Sequence, residues 1–356
     1  MAEILNDGHS VGLEKEFYVV DGTGSTYRQS ILEGRIVDRM QAEMDAYDGS
    51  VGPKCYEDGS GPLEVVTRPC TNLHQLNEDV TTAYRIAQEE ADSLNCYALG
   101  MGIRPGQSKD KAGLHVHVGY ADEGEARYVF YALQRHVPDI VALSANSPIR
   151  SGKVKDVRLI KGSYGLKVSP YSSTSNSSVI QKRSGTIEVR CMDSQGSGEE
   201  DTAIAAYIFG IAEKAKDVYH ALDDVPPEAD VMYDVSSPYE VLQKELVKNR
   251  DRAIKQGMVA VFKTDGEEVP AYRVVADTLE EIRPYLERYD CPADVITILE
   301  DKVEHRRSGA DDVLDIYREM EREKGLDTWW QGVKRFFKKD DGLFGPELYD
   351  RIAHRE

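Results

Sequence analysis

No run of apolar residues approaches the ~20 needed to cross a bilayer, so a membrane-spanning helix is not expected. The opening residues, MAEILNDGHS, lack a basic stretch followed by an apolar core, so no secretory leader is expected and the cytoplasm is the expected location. Cysteine is sparse. The five residues, Cys55, Cys70, Cys96, Cys191 and Cys291, are widely spaced, odd in number and form no CxxC pair. That spacing argues against both a disulfide framework and a structural zinc site. Positive charge is also short: 44 Lys and Arg against 63 Asp and Glu give a net charge of -19. Such a surface repels a phosphate backbone, which makes nucleic acid an unexpected partner. It does not exclude nucleotides, because a few local metal ions and Arg side chains outweigh a diffuse field. Two enzyme signatures are missing: there is no GxxxxGK[ST] phosphate loop and no GxSxG elbow. The run Gly100–Gly106 fails as a dinucleotide loop, because its third glycine comes one place late. No internal repeat is present.

What the chain does have is an ordinary globular composition, 40% hydrophobic and 30% charged over 356 residues, enough for one or two domains. Strands are predicted over 11–20, 62–68, 113–120 and 186–193 from alternation and flanking turn residues. Helices are predicted over 72–93, capped by Asn72, and over 124–145 and 201–222, the last apolar on most sides and so buried. The proline- and acid-rich segment Asp223–Asp230 is a candidate boundary. Beyond it the pattern is helical, over 237–256, 277–288, 293–304, 309–323 and 326–339. The expected organisation is a core over 1–225 and a mainly helical region over 226–356 packed on it.

Four of the strands place ionisable groups singly or at i and i+2 among apolar neighbours. Side chains alternate between the faces of a strand, so an i, i+2 pair shares one face. Glu14 and Glu16 form such a pair, as do His115 with His117 and Glu188 with Arg190; Glu64 sits between Leu63 and Val65. Any one of these strands alone reads as a solvent face. Together they offer carboxylates, two imidazoles and one guanidinium, the inventory of a hard-metal and phosphate site. Oxygen ligation by Glu14, Glu16, Glu64 and Glu188 suits Mg²⁺ or Mn²⁺, and His115 is compatible with either. Arg190 has the planar fork that fits phosphate oxygens. A zinc hydrolase is the competing reading of the HxH pair, but the remaining histidines carry no supporting motif.

At these residues the chain resembles the second family of glutamate–cysteine ligases, the carboxylate–amine ligases. The matching segments are GLEKEFYVVD (Gly12–Asp21), LEVVTRPC (Leu63–Cys70), GLHVHVGY (Gly113–Tyr120), HVPDIVALSANSP (His136–Pro148) and TIEVRCMD (Thr186–Asp193). NRDRAIKQG (Asn249–Gly257) and SGADDVLDIYRE (Ser308–Glu319) follow in the same order. The resemblance implies an α+β fold of glutamine-synthetase catalytic type: a curved antiparallel sheet forming a funnel, backed by helices, with a mainly helical C-terminal part. It implies Glu14, Glu16, Glu64, His115 and Glu188 as metal ligands. It implies His117 near the phosphates of ATP, Arg190 on the phosphoryl group in transit, and Arg158 as a further phosphate or substrate contact.

The implied activity is ATP- and Mg²⁺- (or Mn²⁺-) dependent joining of glutamate to cysteine through a γ-glutamyl phosphate, feeding thiol biosynthesis. Another acid or amine is the alternative within this class. A phosphotransferase that stops after phosphoryl transfer, a zinc hydrolase and a non-catalytic homologue are the alternatives outside it. The expected partners are small molecules, with neither nucleic acid nor membrane; a homo-oligomer is compatible with the sequence. The chain departs from the family in three places. The Trp/Asp/Arg-rich segment expected before the last strand is replaced by YSSTSNSS and VIQKRSG, a GTHP-like turn appears as Gly102–Pro105 with Arg104 in place of His, and the stretch between Glu16 and Glu64 is short. These departures leave the choice of amine more open than the reaction type.

Overall fold

The structure, a computed structural model, describes residues 8–21, 54–57, 62–104, 111–150, 153–154, 177–182, 185–222, 243–264, 267–323 and 346–355, with isolated positions between 35 and 42. Burial alternates over the first half of β1 (Val11–Asp21), and along β5 (Gly113–Gly119) the apolar Leu114, Val116 and Val118 are buried, as their alternating sequence implies. With β2 (Lys54–Glu57), β3 (Leu63–Val66), β8 (Val179–Lys182) and β9 (Thr186–Asp193) they form one antiparallel sheet in the order β2-β3-β1-β5-β9-β8. A further strand, β4 (Cys96–Leu99), pairs with the second half of β1, Tyr18–Asp21. The alternation pattern does not single out β2, β4 or β8; each is four residues long.

Helices cover the apolar side of the sheet. They are α1 (Leu73–Ser93), α2 (Glu123–Arg135), α3 (Val137–Ser144) and α4 (Gly198–His220), each in contact with at least one strand. Asn72 caps α1 by accepting from the Gln75 N–H at 2.8 Å, as expected. Asp122 and Ser197 cap α2 and α4 in the same way. The single helix predicted over 124–145 is two. Pro138 has no N–H for the carbonyl of Gln134 and its ring would clash there, so it is tolerated only in a first turn. The chain therefore breaks at His136 and restarts at Val137.

The later helices α5 (Gln243–Gln256), α6 (Ala271–Arg288) and α7 (Ala293–Glu304) contribute Ala253, Val275, Ile282 and Leu299 to the same continuous core as the sheet residues Leu13, Val116 and Val189. α6 begins six residues earlier than the predicted 277, directly after Pro270. A short hairpin, β10 (Val261–Lys263) with β11 (Glu268–Pro270), joins α5 to α6. β6 (Ile149–Arg150) pairs with β7 (Lys153–Val154). The remaining helices, α8 (Gly309–Glu323) and α9 (Pro346–Ala353), pack a second cluster of Tyr18, Val20, Leu99, Val313, Tyr317 and Leu348. The helix predicted over 326–339 lies outside the described residues. Among the described residues, no helix is long and apolar enough to cross a membrane.

Candidate active site

Strand register decides which polar groups meet. Glu14 stands opposite His115, Glu16 opposite Glu64, and His117 opposite Glu188. Directly opposed residues of an antiparallel pair project to the same face. β3, β1, β5 and β9 thus carry Glu64, Glu16, Glu14, His115, His117, Glu188 and Arg190 on one face, while Leu13, Leu114, Val116, Ile187 and Val189 fill the core behind it. Lys15 sits on the back face. There its ammonium is buried, bonds the Gln195 carbonyl at 3.0 Å and pairs with Asp201 in the first turn of α4. That pair ties the site-bearing strand to the helix beneath it.

On the polar face, the His115 Nδ1–H donates to Glu14 Oε2 at 2.9 Å. The other oxygen of Glu14 lies 3.2 Å from His117 Nε2. Burial alone would raise the Glu14 pKa; the two imidazoles outweigh it and hold the carboxyl well below the usual carboxylate range. For His115, burial works against the charged form, but Glu14, Glu16 and Glu188 together raise its pKa despite the opposing charge of Arg190. Thr186 Oγ1 lies 3.2 Å from His117 Nδ1 and fixes that ring, leaving Nε2 facing Glu14. Glu16 Oε2 accepts from the Gly113 N–H at 2.7 Å.

Glu188 is fully buried, and its neighbours are cations or rings: Lys182 Nζ at 2.8 Å, Arg190 Nε at 3.3 Å and His115 Nδ1 at 3.5 Å. None of these contacts has hydrogen-bond geometry. Both carboxylate oxygens of Glu188, with His117 Nε2 and Arg190 Nε, are buried without a hydrogen bond. A buried polar atom without a partner costs about 1–3 kcal/mol, more if charged. One ligand atom each from Glu14, His117 and Glu188 lies within 4.8 Å of the others. Two carboxylates and one imidazole, with donor atoms left over, fit a divalent cation of the Mg²⁺ or Mn²⁺ kind. Beside them a cavity of about 170 Å³ opens among Ser10, Leu13, Thr67, Glu14 and His117.

The resemblance implies His117 near phosphate and His115 as a metal ligand; in the structure His117 is among the converging donor atoms and His115 donates to Glu14. Glu16 and Glu64 lie further along the same face, opposite one another. Arg158 lies outside the described residues. Sequence reasoning missed Lys182. Its only signal was a lysine two residues after an apolar position in the segment VIQKRSG, whose strand was not recognised.

A family model described as "Glutamate-cysteine ligase family 2 (GCS2)" matches residues 108–174. The protein named "Putative glutamate--cysteine ligase 2" from Polaromonas naphthalenivorans is 23% identical over 344 residues, covering 80% of this chain and 84% of that protein. The protein of the same name from Citrobacter koseri is 23% identical over 173 residues, and there the match spans only 42% of this chain and 45% of the relative's length. Among solved structures, a glutamate–cysteine ligase from Francisella tularensis in complex with AMP superposes with a TM-score of 0.54 at 11% identity, over 98% of this chain and 89% of that one. The ligase PafA in complex with the ubiquitin-like protein Pup gives 0.54 at 13% identity, over 96% and 71%. These likenesses bear on the fold, and the expectation of an antiparallel, helix-backed sheet of glutamine-synthetase type holds. By the family model over residues 108–174 and the relatives at 23% identity, the chain is similar to the second family of glutamate–cysteine ligases, and it has the glutamine-synthetase-like fold.

Proposed function

We propose that the protein is an ATP-dependent ligase that joins the γ-carboxylate of glutamate to the amine of cysteine. The observation that carries this reading is the single polar face on which Glu14, His117 and Glu188 converge with donor atoms unspent, beside Arg190. The family and fold likenesses support the coarser statement of a carboxylate–amine ligase.

In this reading Glu14, His117 and Glu188 hold a divalent cation, with Glu16, Glu64 and His115 as the further ligands on the same face. Mg²⁺ or Mn²⁺ bound there neutralises triphosphate and carboxylate charge so that two anions can approach. His115 fixes the orientation of Glu14 through its Nδ1–H. Arg190 stabilises charge on the phosphoryl oxygens as the group transfers. The glutamate carboxylate attacks the γ-phosphorus, ADP leaves, and an acyl phosphate forms. The amine then attacks the acyl carbon, phosphate departs, and the amine loses a proton. The detour is chemically necessary, because oxide is a poor leaving group and phosphate a good one. Arg158 is proposed as a further anion contact, and the cytoplasm as the location.

The test is ADP release by purified protein with Mg²⁺, ATP and glutamate, scanned across amines. Release that depends on both glutamate and cysteine is expected. Release that requires another amine would overturn the named substrate while keeping the ligase. Amine-independent release would identify a phosphotransferase instead.

A further inference from the structure

The edge strand β8 brings a cation into the site. Ile180 of β8 stands opposite Glu188, so Lys182, two residues on, projects from the same face. Its ammonium lies 2.8 Å from Glu188 Oε2, one of the two buried carboxylate oxygens. The two partners differ in mobility. Glu188 is 0% exposed on a central strand, whereas the Lys182 side chain is 35% exposed. Lysine is a point charge on a flexible four-carbon stem, able to withdraw into water; Arg190, 17% exposed, is far less free to do so. A divalent cation ligated by Glu188 and an ammonium on the same carboxylate would repel each other strongly at such separations.

We propose that Lys182 competes with the divalent cation for Glu188. It neutralises the buried carboxylate while the cation is absent, and it must leave when the cation binds. This inference rests on the reading of Glu188 as a metal ligand given above. Lys182 is then a positioning residue that sets the metal affinity of the site, on a segment where the chain departs from its family.

The experiment is Mn²⁺ binding to the full-length protein without nucleotide, followed by the loss of the free-ion electron paramagnetic resonance signal. Lys182→Met should tighten Mn²⁺ binding roughly tenfold, equivalent to about 1.4 kcal/mol. Lys182→Arg, which keeps the charge, should stay within about twofold of wild type. In metal-free buffer Lys182→Arg should unfold at the wild-type denaturant midpoint and Lys182→Met at a lower one, because it removes a counter-charge from the buried Glu188, and saturating Mn²⁺ should restore it. The gain in Lys182→Met should persist in 1 M KCl, where screening acts within about 3 Å. A gain that vanishes in that salt would mean a diffuse field and would overturn direct competition. Equal affinity in Lys182→Met and wild type, with binding lost in Glu188→Gln, would overturn the role of Lys182 and leave the metal reading standing. Binding unchanged in Glu188→Gln, or absent from wild type, would defeat the metal reading and this inference with it.

Discussion

Asp193 ends the strand that carries Glu188 and Arg190, and its carboxyl is an unusual one to find there. It is 2% exposed; the Asn146 N–H donates to Oδ2 at 2.9 Å and the Ser147 hydroxyl at 2.7 Å. Burial disfavours the ionised form more than these two bonds favour it, so its pKa is pushed from 3.8 up to about 7. The native state therefore binds a proton more tightly than the unfolded chain. The associated stability is fully present below pH ~4 and is lost as pH rises toward ~7. A shift of about three units corresponds to roughly 4 kcal/mol across that window. Asp193→Asn keeps the shape and the acceptor oxygen but cannot ionise. Denaturant unfolding of both proteins from pH 4 to 8 isolates the effect, because all other titrating groups cancel in the difference. The variant should gain stability relative to wild type as pH rises, by up to about 4 kcal/mol, and level off above pH ~7. A flat difference would show that Asp193 titrates as it does in the unfolded chain. A difference of opposite sign would show that its pKa is depressed, and either result would refute the reasoning.

Other perturbations test the scaffold beneath the site. Glu213 on α4 is buried and accepts from Tyr289 at 2.6 Å and pairs with His9 at 2.7 Å and with the fully buried Lys216. Glu213→Ala should cost roughly 3–5 kcal/mol in denaturant unfolding, because it strands a buried ammonium; a loss under about 1 kcal/mol would contradict that. Gly102 has no room for a side chain, since an added Cβ would overlap Asp193 Oδ1 and Ser147 Oγ. Gly102→Ala should destabilise by about 1–3 kcal/mol, read by the same assay, and a neutral result would show that the turn can shift freely.

Much of the polar face was legible because it depends on strand periodicity alone. In GLHVHVGY and TIEVRCMD the alternation fixes which side chains share a face, whatever lies beside the strand. Asn72 as a cap was legible for the same reason, since capping is local. The break between α2 and α3 could have been read from Pro138. Lys182, by contrast, gains its meaning only from pairing of β8 with β9, a contact that the four-residue strand does not announce. The same holds for His117. Sequence places it beside His115, but only the register opposite Glu188 puts it among the converging donors.

The central claim is that a carboxylate is activated by phosphorylation. Glutamate labelled with ¹⁸O in its γ-carboxylate, incubated with the protein, Mg²⁺, ATP and cysteine, tests it most directly. The account predicts one ¹⁸O transferred to each inorganic phosphate released, seen as an isotope-shifted ³¹P resonance, and no transfer with Glu188→Ala. Phosphate released without label would mean that water, not the substrate carboxylate, attacks the nucleotide, and would contradict the account.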